Sequence, residues 1–386
     1  MMRMHRRAVP LFSLALLAVV GHAGLPMATS NADADTCAVP ASQIHVGVSE
    51  NWNARFTAYG DNNANLPGWT GGDAASTAPL PDGRRLWIFS DTFMGDVDAT
   101  STASGSGRPF SAPIVSNSAV VEEAETKSLR ETLHTGTDTA PRAYIDPGAS
   151  SPPSWFWPGA GVVQGTKLRL LVNKFHRTGP GPFNFAFDGT AVMSIRLPAL
   201  TLTRDPATLP VRVLGGVLWN HVLVQPDADY IYGTKNHNLY VAKAPAGDLT
   251  KPWTYRTGGG GWSSDPNRAA PIIKDGAGID TQVVQVNHSF VRLSVRGSSS
   301  SFSNVIQAYF SCSPAGPWTT SGTPIYTAPE GDGDGTIIYS SYIHPETVHN
   351  GRMLANYSVN AAGDLNYQSM HFYRPRFLRI TITGLP

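Results

Sequence analysis

The chain of 386 residues contains little charge, because Asp, Glu, Lys and Arg together make up only 15% of it. Long helices need Glu, Lys, Leu and Ala at helical spacing, whereas this sequence is rich in Gly (38) and Pro (30). The formal net charge is +1, with no basic or acidic block, so neither a nucleic acid nor an anionic membrane surface is expected as a partner. The composition therefore predicts an all-β protein of many short strands and turns.

Several chemical motifs are also missing from the sequence. It has no GxSxG elbow, HExxH helix, phosphate-binding loop or Cys/His zinc pattern, so serine hydrolase, zinc protease and NTPase functions have no support. The run GDGDG at 331–335 shares part of a calcium loop but lacks the full ligand spacing, and a flexible turn is the better interpretation. We therefore predict that no cofactor or metal is required. A structural Ca²⁺ has no support in the sequence.

Long apolar runs are absent except near the N-terminus. Three arginines precede an apolar stretch of eleven residues at 10–20, which suits a signal peptide and is too short to span a bilayer. We predict that residues 1–34 are a signal peptide, so the protein is secreted to the periplasm or outside the cell and is not in the membrane after cleavage. The three candidate cleavage positions follow Ala23, Ala28 and Ala34.

Cysteine is scarce too, with only Cys37 and Cys312. In the oxidising compartment that export implies, two cysteines are expected to form a disulfide, here between the mature N-terminus and a distant segment. The alternative is a pair of free, separated thiols.

The most informative segment is Trp69–Gly95, which has two apolar stretches joined by Pro81-Asp82-Gly83. Proline presets φ and glycine accepts positive φ, so this tripeptide predicts a turn between antiparallel strands. Asp73 and Asp91, eighteen residues apart, then lie at the same end of one hairpin.

Similar strand–turn–strand units follow, beginning near residues 155, 217, 281 and 340. Their spacing of roughly 55–80 residues is that of propeller blades. The segments LYVAKAPAGDLTKPWTY and AYFSCSPAGPWTT also resemble each other directly. We predict a single five-bladed β-propeller over 35–386, closed by pairing of N- and C-terminal strands, with an irregular pair of β-sandwiches as the alternative. Gln43–Tyr59 is interpreted as a strand and loop, and 122–153 as a long loop or insertion.

Polar and aromatic residues within the apolar segments are candidates for the central channel. Carboxylates, amides and imidazoles suit the hydroxyl groups of a neutral sugar, and aromatic rings stack on its apolar face. Each also has an ordinary structural interpretation: the histidines as hydrogen-bonded core residues, the tryptophans as core, and the lysine as a solvated charge. The predicted substrate-binding residues are Trp69, Asn117, Trp155, Trp157, His221, Lys235, Asn236, Asn287, His288, Tyr342, His344 and Tyr357.

Two carboxylates suffice for glycoside hydrolysis, one protonated as the acid and one ionised as nucleophile or base. Asp73 and Asp91 are the best pair by context, and Glu346 is a third candidate acid. Asp73 has a structural alternative, since it follows a Gly pair and an aspartate there often accepts backbone hydrogen bonds. Asp91 ends the apolar run LWIFS, which favours a role in the site.

The motifs GGDAAST, PLPDGRRLWIFSDTF, YIHPETVHNGRMLANYSVN and YRPRFLRITI resemble those of an exported bacterial family of five-bladed propellers. That family was long catalogued as domains of unknown function, and its members form glycoside hydrolase family 183, the endo-D-arabinanases. The resemblance implies cleavage of the D-arabinan of mycobacterial arabinogalactan and lipoarabinomannan. It also implies that Asp73 and Asp91 match the family's catalytic aspartates. The family often has GGDG followed by Ser-Val, where this sequence has GGDAASTA.

The sequence is also compatible with other functions. Related five-bladed furanosidases act on L-arabinan, so the sugar can differ while the reaction class holds. A non-catalytic carbohydrate-binding propeller would keep the aromatic and amide residues without the chemistry. A lyase would need a Lys, Tyr or His as the base beside a uronic acid, and a positive pocket, which this chain shows only weakly. A monomer is expected.

Overall fold

The computed structural model describes residues 37–62, 67–102, 105–181, 183–203, 210–279, 282–298, 301–331, 335–361 and 363–386. The predicted signal peptide with its cleavage positions, and the centre of the GDGDG run, lie outside these residues. Most described residues belong to β-strands, which confirms the predicted class.

The first described elements are β1 (Ile44–Val48) and α1 (Glu50–Gly60), preceded by a short 3₁₀ turn (Ala41–Gln43). Strand β1 confirms the strand predicted within Gln43–Tyr59, whereas the helix corrects the prediction of a loop after it. Its aromatic residues Trp52, Phe56 and Tyr59 recur at spacings of four and three, which puts them on one helical face. Phe56 is 1% exposed and packs edge-on against Trp69 and Trp87. This packing provides the burial that stabilises so short a helix.

The first large sheet contains the predicted hairpin. Gly83 has φ 85°, and Asp82 accepts a hydrogen bond from the Arg84 backbone N–H at 3.1 Å, as the Pro-Asp-Gly turn requires. The two hairpin strands are followed in the chain by two further strands of the same sheet, and the four lie side by side in chain order. The strands around this sheet are β2 (Trp69–Gly72), β3 (Ser76–Pro79), β4 (Arg85–Phe89), β5 (Thr92–Met94), β6 (Asp98–Thr102), β7 (Gly105–Gly107), β8 (Ile114–Val115), β9 (Ser118–Glu122), β10 (Leu129–Leu133), β11 (Thr135–Thr137) and β12 (Ala140–Arg142).

Sheet one consists of β3, β4, β9 and β10, while β2, β5 and β8 form a small separate sheet, and β6–β7 and β11–β12 form two-stranded pairs. Strands β10, β11 and β12 correct the prediction that 122–153 is a long loop. Most of their residues are partly or fully exposed, so the apolar alternation that marks a half-buried strand is missing from the sequence.

Sheets two, three and four follow in chain order, each built from consecutive antiparallel strands. Sheet two contains β13 (Ser154–Gln164), β14 (Lys167–Arg177), β15 (Phe185–Arg196) and β16 (Thr201–Thr203). Sheet three contains β17 (Leu218–Val224), β18 (Ala228–Lys235), β19 (Asn238–Pro245), β20 (Thr254–Arg256) and β21 (Trp262–Ser263). Sheet four contains β22 (Gln282–Val286), β23 (Ser289–Ser298), β24 (Ser301–Ser311), β25 (Thr319–Thr320) and β26 (Tyr326–Thr327). The two similar sequence segments occupy equivalent places, each being a third strand, a tryptophan and a short fourth strand.

Sheet five joins the two ends of the chain. Its strands β27 (Thr336–Ile343), β28 (Arg352–Ala361) and β29 (Arg376–Ile382) are completed by β1, which pairs antiparallel with β29 in the register Ile44↔Ile382. A short helix, α2 (Leu365–Gln368), lies between β28 and β29. The predicted pairing of N- and C-terminal strands in one unit is confirmed. Cys37 and Cys312 form the predicted disulfide, with their Cα atoms 5.2 Å apart.

The first strands of neighbouring sheets contact each other, from β3 to β13, β17, β22 and β27. These five strands run in the same direction, as shown by the residues that follow them, which lie together at one end of the molecule. Side-chain hydrogen bonds between described residues link the sheets there, among them Arg84 to the Pro198 carbonyl, Gln164 to Asp229, Gln225 to Gln285, and Asn287 to the Leu385 carbonyl. We call this the lower end, and the end at which the five strands begin the upper end.

Five apolar clusters of the described residues fill the spaces between sheets. Four of them join sheets that follow each other in the chain, for example Ile88 of sheet one with Val172 of sheet two. The fifth contains α1 residues together with Trp87 of sheet one and Phe377 of sheet five. Each sheet therefore buries apolar side chains against two neighbours, and the last sheet shares a core with the first.

Candidate active site

Asp73 and Asp91 lie together at the upper end of sheet one. The Asp73 N–H donates to the Asp91 carbonyl at 3.2 Å, and the Ser90 N–H donates to the Asp73 carbonyl at 3.0 Å. This pairing confirms that one hairpin brings both aspartates to the same end. Gly72 fits here because a Cβ at that position would lie 2.8 Å from Trp69 Nε1 and 3.1 Å from the Phe89 ring.

Two tyrosines of the sheet-five region hold the Asp73 carboxylate. The Tyr339 hydroxyl donates to Asp73 Oδ2 at 2.7 Å, and the Tyr373 hydroxyl lies 3.4 Å from the same oxygen. Burial, followed by the nearby Asp73 charge, raises the pKa of both phenols well above the usual value. Both therefore remain hydrogen-bond donors at ordinary pH, and donors to a carboxylate favour its ionised form.

Asp91 has a different environment. The Trp157 indole N–H donates to Asp91 Oδ1 at 2.8 Å. Burial raises the pKa of Asp91 to about 6, although this hydrogen bond and the positive charge of Arg177 both act to lower it. Asp91 can therefore hold a proton in mildly acidic solution, where an ordinary aspartate is ionised.

Beside Asp91, the upper end of sheet two forms a partly exposed aromatic wall. Trp157 packs against Phe175 and Phe185, with ring centroids 4.5 and 5.2 Å apart. Trp155 adjoins Trp157 at 5.7 Å, and the Arg177 guanidinium lies 5.1 Å from the Trp155 ring. This wall offers the flat apolar surface on which sugar rings stack, next to a carboxylic acid.

Trp69 and Asn117 do not reach this surface, which corrects their prediction as ligand-binding residues. Trp69 is 1% exposed and packs among Phe56, Tyr59 and Phe89 in the core. The Asn117 amide is occupied internally, since it donates to the Ile145 and Phe156 carbonyls and accepts from the Ile145 N–H. Trp69 therefore has a packing role, and Asn117 connects backbone segments of sheets one and two.

Four more predicted binding residues are fully buried rather than exposed to a channel. His221 bonds the Val283 carbonyl through Nε2 at 2.9 Å, and burial lowers its pKa to about 4. Burial likewise lowers the pKa of His344 to about 3, and its Nδ1 lies 3.1 Å from Thr77 Oγ1. The Tyr357 hydroxyl donates to Glu330 at 2.9 Å, and Tyr342 has no exposed surface. The ordinary structural interpretation applies to these residues.

The remaining predicted binding residues lie at the rims. Lys235 is at the upper end of sheet three, where its Nζ donates to the Gly215 carbonyl at 2.8 Å, and Asn236 forms the exposed turn that follows. Asn287 and His288 form the turn between β22 and β23, at the lower end. The structure therefore separates Asn287 and His288 from the carboxylate pair, because the polar dipeptide marks a turn and not the interior of a strand.

Glu346 also belongs to the lower end. Its carboxylate forms an ion pair with Arg85 Nε at 2.8 Å and accepts from Thr77 Oγ1 at 3.0 Å. Arg85 and Asp91 are separated by six residues of extended chain, about 20 Å. Burial raises the pKa of Glu346, with Arg85 opposing the shift. The structure does not bring this predicted third acid to the pair.

Sequence reasoning missed Tyr339, Tyr373, Arg177 and Phe185. Strand β27 has a register shift between Tyr339 and Tyr342, and Ser340 has φ 49°, an irregularity that the sequence does not indicate. Tyr339 therefore reaches Asp73, whereas the predicted Tyr342 is buried. Tyr373 lies outside any strand, and no local pattern predicts its contact with Asp73. Phe185 follows the alternation of β15 and could have been found.

No group of three or more His, Cys, Asp and Glu side chains within the described ranges is arranged to hold a metal ion. In the same part of the chain, none of the helices has the length and apolar character needed to cross a membrane.

No curated protein matches the chain. Among solved structures, it is similar to a candidate hydrolase from Bacteroides ovatus, at 20% identity and TM-score 0.68, covering 87% of this chain and 90% of that one. This similarity shows a shared fold. The catalytic domain of a family GH62 α-L-arabinofuranosidase from Coprinopsis cinerea is more distant, at 11% identity and TM-score 0.44, covering 83% of this chain and 93% of that one. A family GH43 protein from Bacillus licheniformis has 12% identity and TM-score 0.48, covering 88% of this chain and 57% of that one.

One family model matches residues 53–382 and is described as a domain of unknown function, DUF5005. The match covers most of the described residues, including both aspartates and both tyrosines of the site. The chain belongs to the DUF5005 family.

Proposed function

We propose that this protein is a secreted glycoside hydrolase with a five-bladed β-propeller fold that cleaves a furanose polymer internally, most specifically the α-D-arabinofuranosyl linkages of D-arabinan. The observation that carries the proposal is the pair of adjacent aspartates with opposite environments. Asp73 accepts hydrogen bonds from tyrosines, whereas Asp91 has a pKa raised to about 6 by burial beside Trp157. Glycoside hydrolysis needs a protonated acid and an ionised partner, and these two environments differ in the way that such a division of roles requires.

In this mechanism Asp91 is the general acid. Its proton passes to the glycosidic oxygen as the bond to the anomeric carbon breaks, so the leaving sugar departs as an alcohol. Because its carboxylate accepts hydrogen bonds from Tyr339 and Tyr373 and such donors favour the charged form, we assign the role of the ionised partner to Asp73. It attacks the anomeric carbon or deprotonates the attacking water, and in either case its negative charge stabilises the cationic transition state.

The aromatic wall supports a carbohydrate substrate. Trp155, Trp157 and Phe185 are partly exposed and pack together, and Trp157 contacts the proposed acid, so a sugar stacked on this wall lies close to Asp91. The choice of D-arabinan follows the sequence resemblance of the aspartate hairpin to endo-D-arabinanases. The propeller interpretation is supported by the five clusters that join each sheet to two neighbours, and secretion by the disulfide together with the N-terminal apolar run.

The proposal is tested by incubating the purified protein with arabinogalactan, lipoarabinomannan and L-arabinan and resolving the products by chromatography. Oligosaccharides are expected from the two D-arabinan substrates. Asp73→Asn and Asp91→Asn should each reduce product formation by at least about 10²-fold, since each removes one half of the acid–base pair. Both amides can still accept the tyrosine and tryptophan hydrogen bonds, so folding is retained.

Other results identify other functions. Products from L-arabinan alone would mean a different furanosidase of the same reaction class. Binding of polysaccharide without any product would indicate a carbohydrate-binding protein, and unsaturated products would indicate a lyase. Full activity in both Asp variants would show that the site is assigned wrongly, whatever the substrate.

A further inference from the structure

We infer that Phe110 is a second sugar-stacking platform, on the Asp73 side of the carboxylate pair, so that a bound polymer contacts aromatic rings on both sides of the bond that is cleaved. This inference rests on the proposed function and extends it, since it adds a subsite on the Asp73 side to the aromatic wall that contacts Asp91.

Phe110 is 68% exposed, which by itself is ordinary for a single apolar side chain. Its ring is stacked on Tyr367, with centroids 5.4 Å apart and an interplanar angle of 27°. One face of Phe110 is therefore packed and the other is open to solvent. An aromatic ring fixed from behind in this way presents a flat surface suited to the apolar face of a sugar.

A continuous series of rings connects Phe110 to the proposed catalytic pair. Tyr367 packs edge-on against Phe93 at 5.1 Å, and Phe93 packs edge-on against Tyr373 at 5.0 Å. The hydroxyl of Tyr373 then lies 3.4 Å from Asp73 Oδ2. Phe110 is thus the exposed member of an aromatic group that contacts Asp73, just as the wall of sheet two contains Trp157, which contacts Asp91.

The backbone that carries Phe110 is firmly held. Arg108, two residues earlier, is 2% exposed and donates to the carbonyls of Thr70 and Asn366 at 2.8 and 2.5 Å. Its N–H donates to the Tyr367 carbonyl at 2.6 Å, and the Ala112 N–H closes a turn onto the Pro109 carbonyl at 2.9 Å. A side chain presented by such an anchored turn loses little freedom when a ligand binds, which lowers the entropic cost of binding.

A second platform on the Asp73 side has a consequence for substrate length. A polymer that contacts both Trp157 and Phe110 extends beyond the cleaved bond in two directions. This arrangement favours internal cleavage, and it predicts that long chains bind more tightly than short ones. Removal of Phe110 should weaken polymer binding without altering the ionisation of either aspartate.

The test uses the full-length mature protein with Asp91→Asn, so that binding is measured without cleavage. Affinity electrophoresis in gels containing D-arabinan or L-arabinan gives a dissociation constant for this parent, for added Phe110→Ala, for added Phe110→Trp and for the control Val224→Ala. Val224 is also exposed (51%) and ends β17 at the lower end. Phe110→Ala should raise the dissociation constant about 3- to 10-fold, while Phe110→Trp and Val224→Ala stay within about 2-fold of the parent.

Products of the otherwise wild-type protein complete the test. Phe110→Ala should retain cleavage with a shifted distribution of product lengths. Unchanged binding and unchanged products in Phe110→Ala would overturn the subsite while leaving the proposed function intact. Weakened binding by Phe110→Ala in a protein that never releases product would support the subsite and overturn the hydrolase. A parent that binds neither polymer would overturn both.

Discussion

At the scale of single residues, the site depends on how two identical side chains are made different. A backbone hydrogen bond from the Asp73 N–H to the Asp91 carbonyl joins the two residues, so both occupy the same end of the hairpin. Their side-chain partners distinguish them. The Asp73 carboxylate accepts from tyrosine hydroxyls, whereas the Asp91 carboxylate accepts from the Trp157 indole N–H. The raised pKa of Asp91 therefore follows from the elements packed on the hairpin and not from the hairpin itself.

The acid role predicts a pH dependence. Activity that needs protonated Asp91 should fall as pH rises through about 6, because the raised pKa of Asp91 lies there. Trp157→Phe removes the hydrogen bond that lowers this pKa, so the alkaline limb of kcat/KM against pH should move upward by roughly 0.5–1 unit. The measurement is the pH–rate profile on D-arabinan oligosaccharides. A limb that stays in place would show that Asp91 is not the group that titrates.

The same group predicts a change in stability. Between the ordinary pKa of 3.8 and the raised pKa of about 6, folded Asp91 keeps a proton that the unfolded chain has released, so stability falls as pH rises through that window. Asp91→Asn lacks this penalty. It should raise the free energy of unfolding by about 1–3 kcal/mol at pH 7.5 and change it little at pH 3.5. Urea denaturation at both pH values checks this, and equal effects at the two values would contradict it.

At the scale of elements, the Trp69–Gly95 hairpin could be predicted because Pro-Asp-Gly has a definite turn geometry and apolar strands flank it. Helix α1 could have been found from Trp52, Phe56 and Tyr59, whose spacing is helical. The contact of Tyr373 with Asp73 could not be found, since it joins residues 300 positions apart outside any repeat. Local patterns predict elements well, whereas the partners of a catalytic group are decided by packing between sheets.

Glu346 and the aspartate pair lie at opposite ends of the hairpin and are therefore expected to have different roles. Glu346 lies with Arg85 and Thr77 at the lower end, so Glu346→Gln should leave kcat and KM within about 2-fold of wild type. Loss of the buried ion pair should lower the free energy of unfolding, by about 1–3 kcal/mol, although Arg85 keeps its contact with Glu122 at 3.0 Å. Parallel kinetics and denaturation of Glu346→Gln and Asp91→Asn provide the comparison. A large loss of kcat in Glu346→Gln would restore it as a candidate acid.

At the scale of the whole molecule, five sheets that each share apolar cores with two neighbours position groups from distant parts of the chain around one site. Asp73 comes from sheet one, Trp157 from sheet two and Tyr339 from sheet five. A change that loosens sheet five therefore reaches Asp73 through Tyr339. Two features hold the N-terminal segment against the last two sheets: the pairing of β1 with β29 in sheet five, and the bond from Cys37 to Cys312, which directly follows β24 of sheet four.

The disulfide offers the test of this view. It links positions 275 residues apart, and a cross-link of that length removes much conformational entropy from the unfolded chain. Cys312 follows the end of β24, at the lower end and away from the aspartates. The double variant Cys37→Ser/Cys312→Ser should therefore lose about 2–5 kcal/mol of unfolding free energy while kcat at low temperature stays within about 2-fold of wild type. Denaturation of oxidised and reduced wild type supplies a control without substitution, and it should show a similar loss. If kcat also fell at temperatures where the variant is folded, attachment of the N-terminal segment would be needed for the geometry of the site and not only for stability.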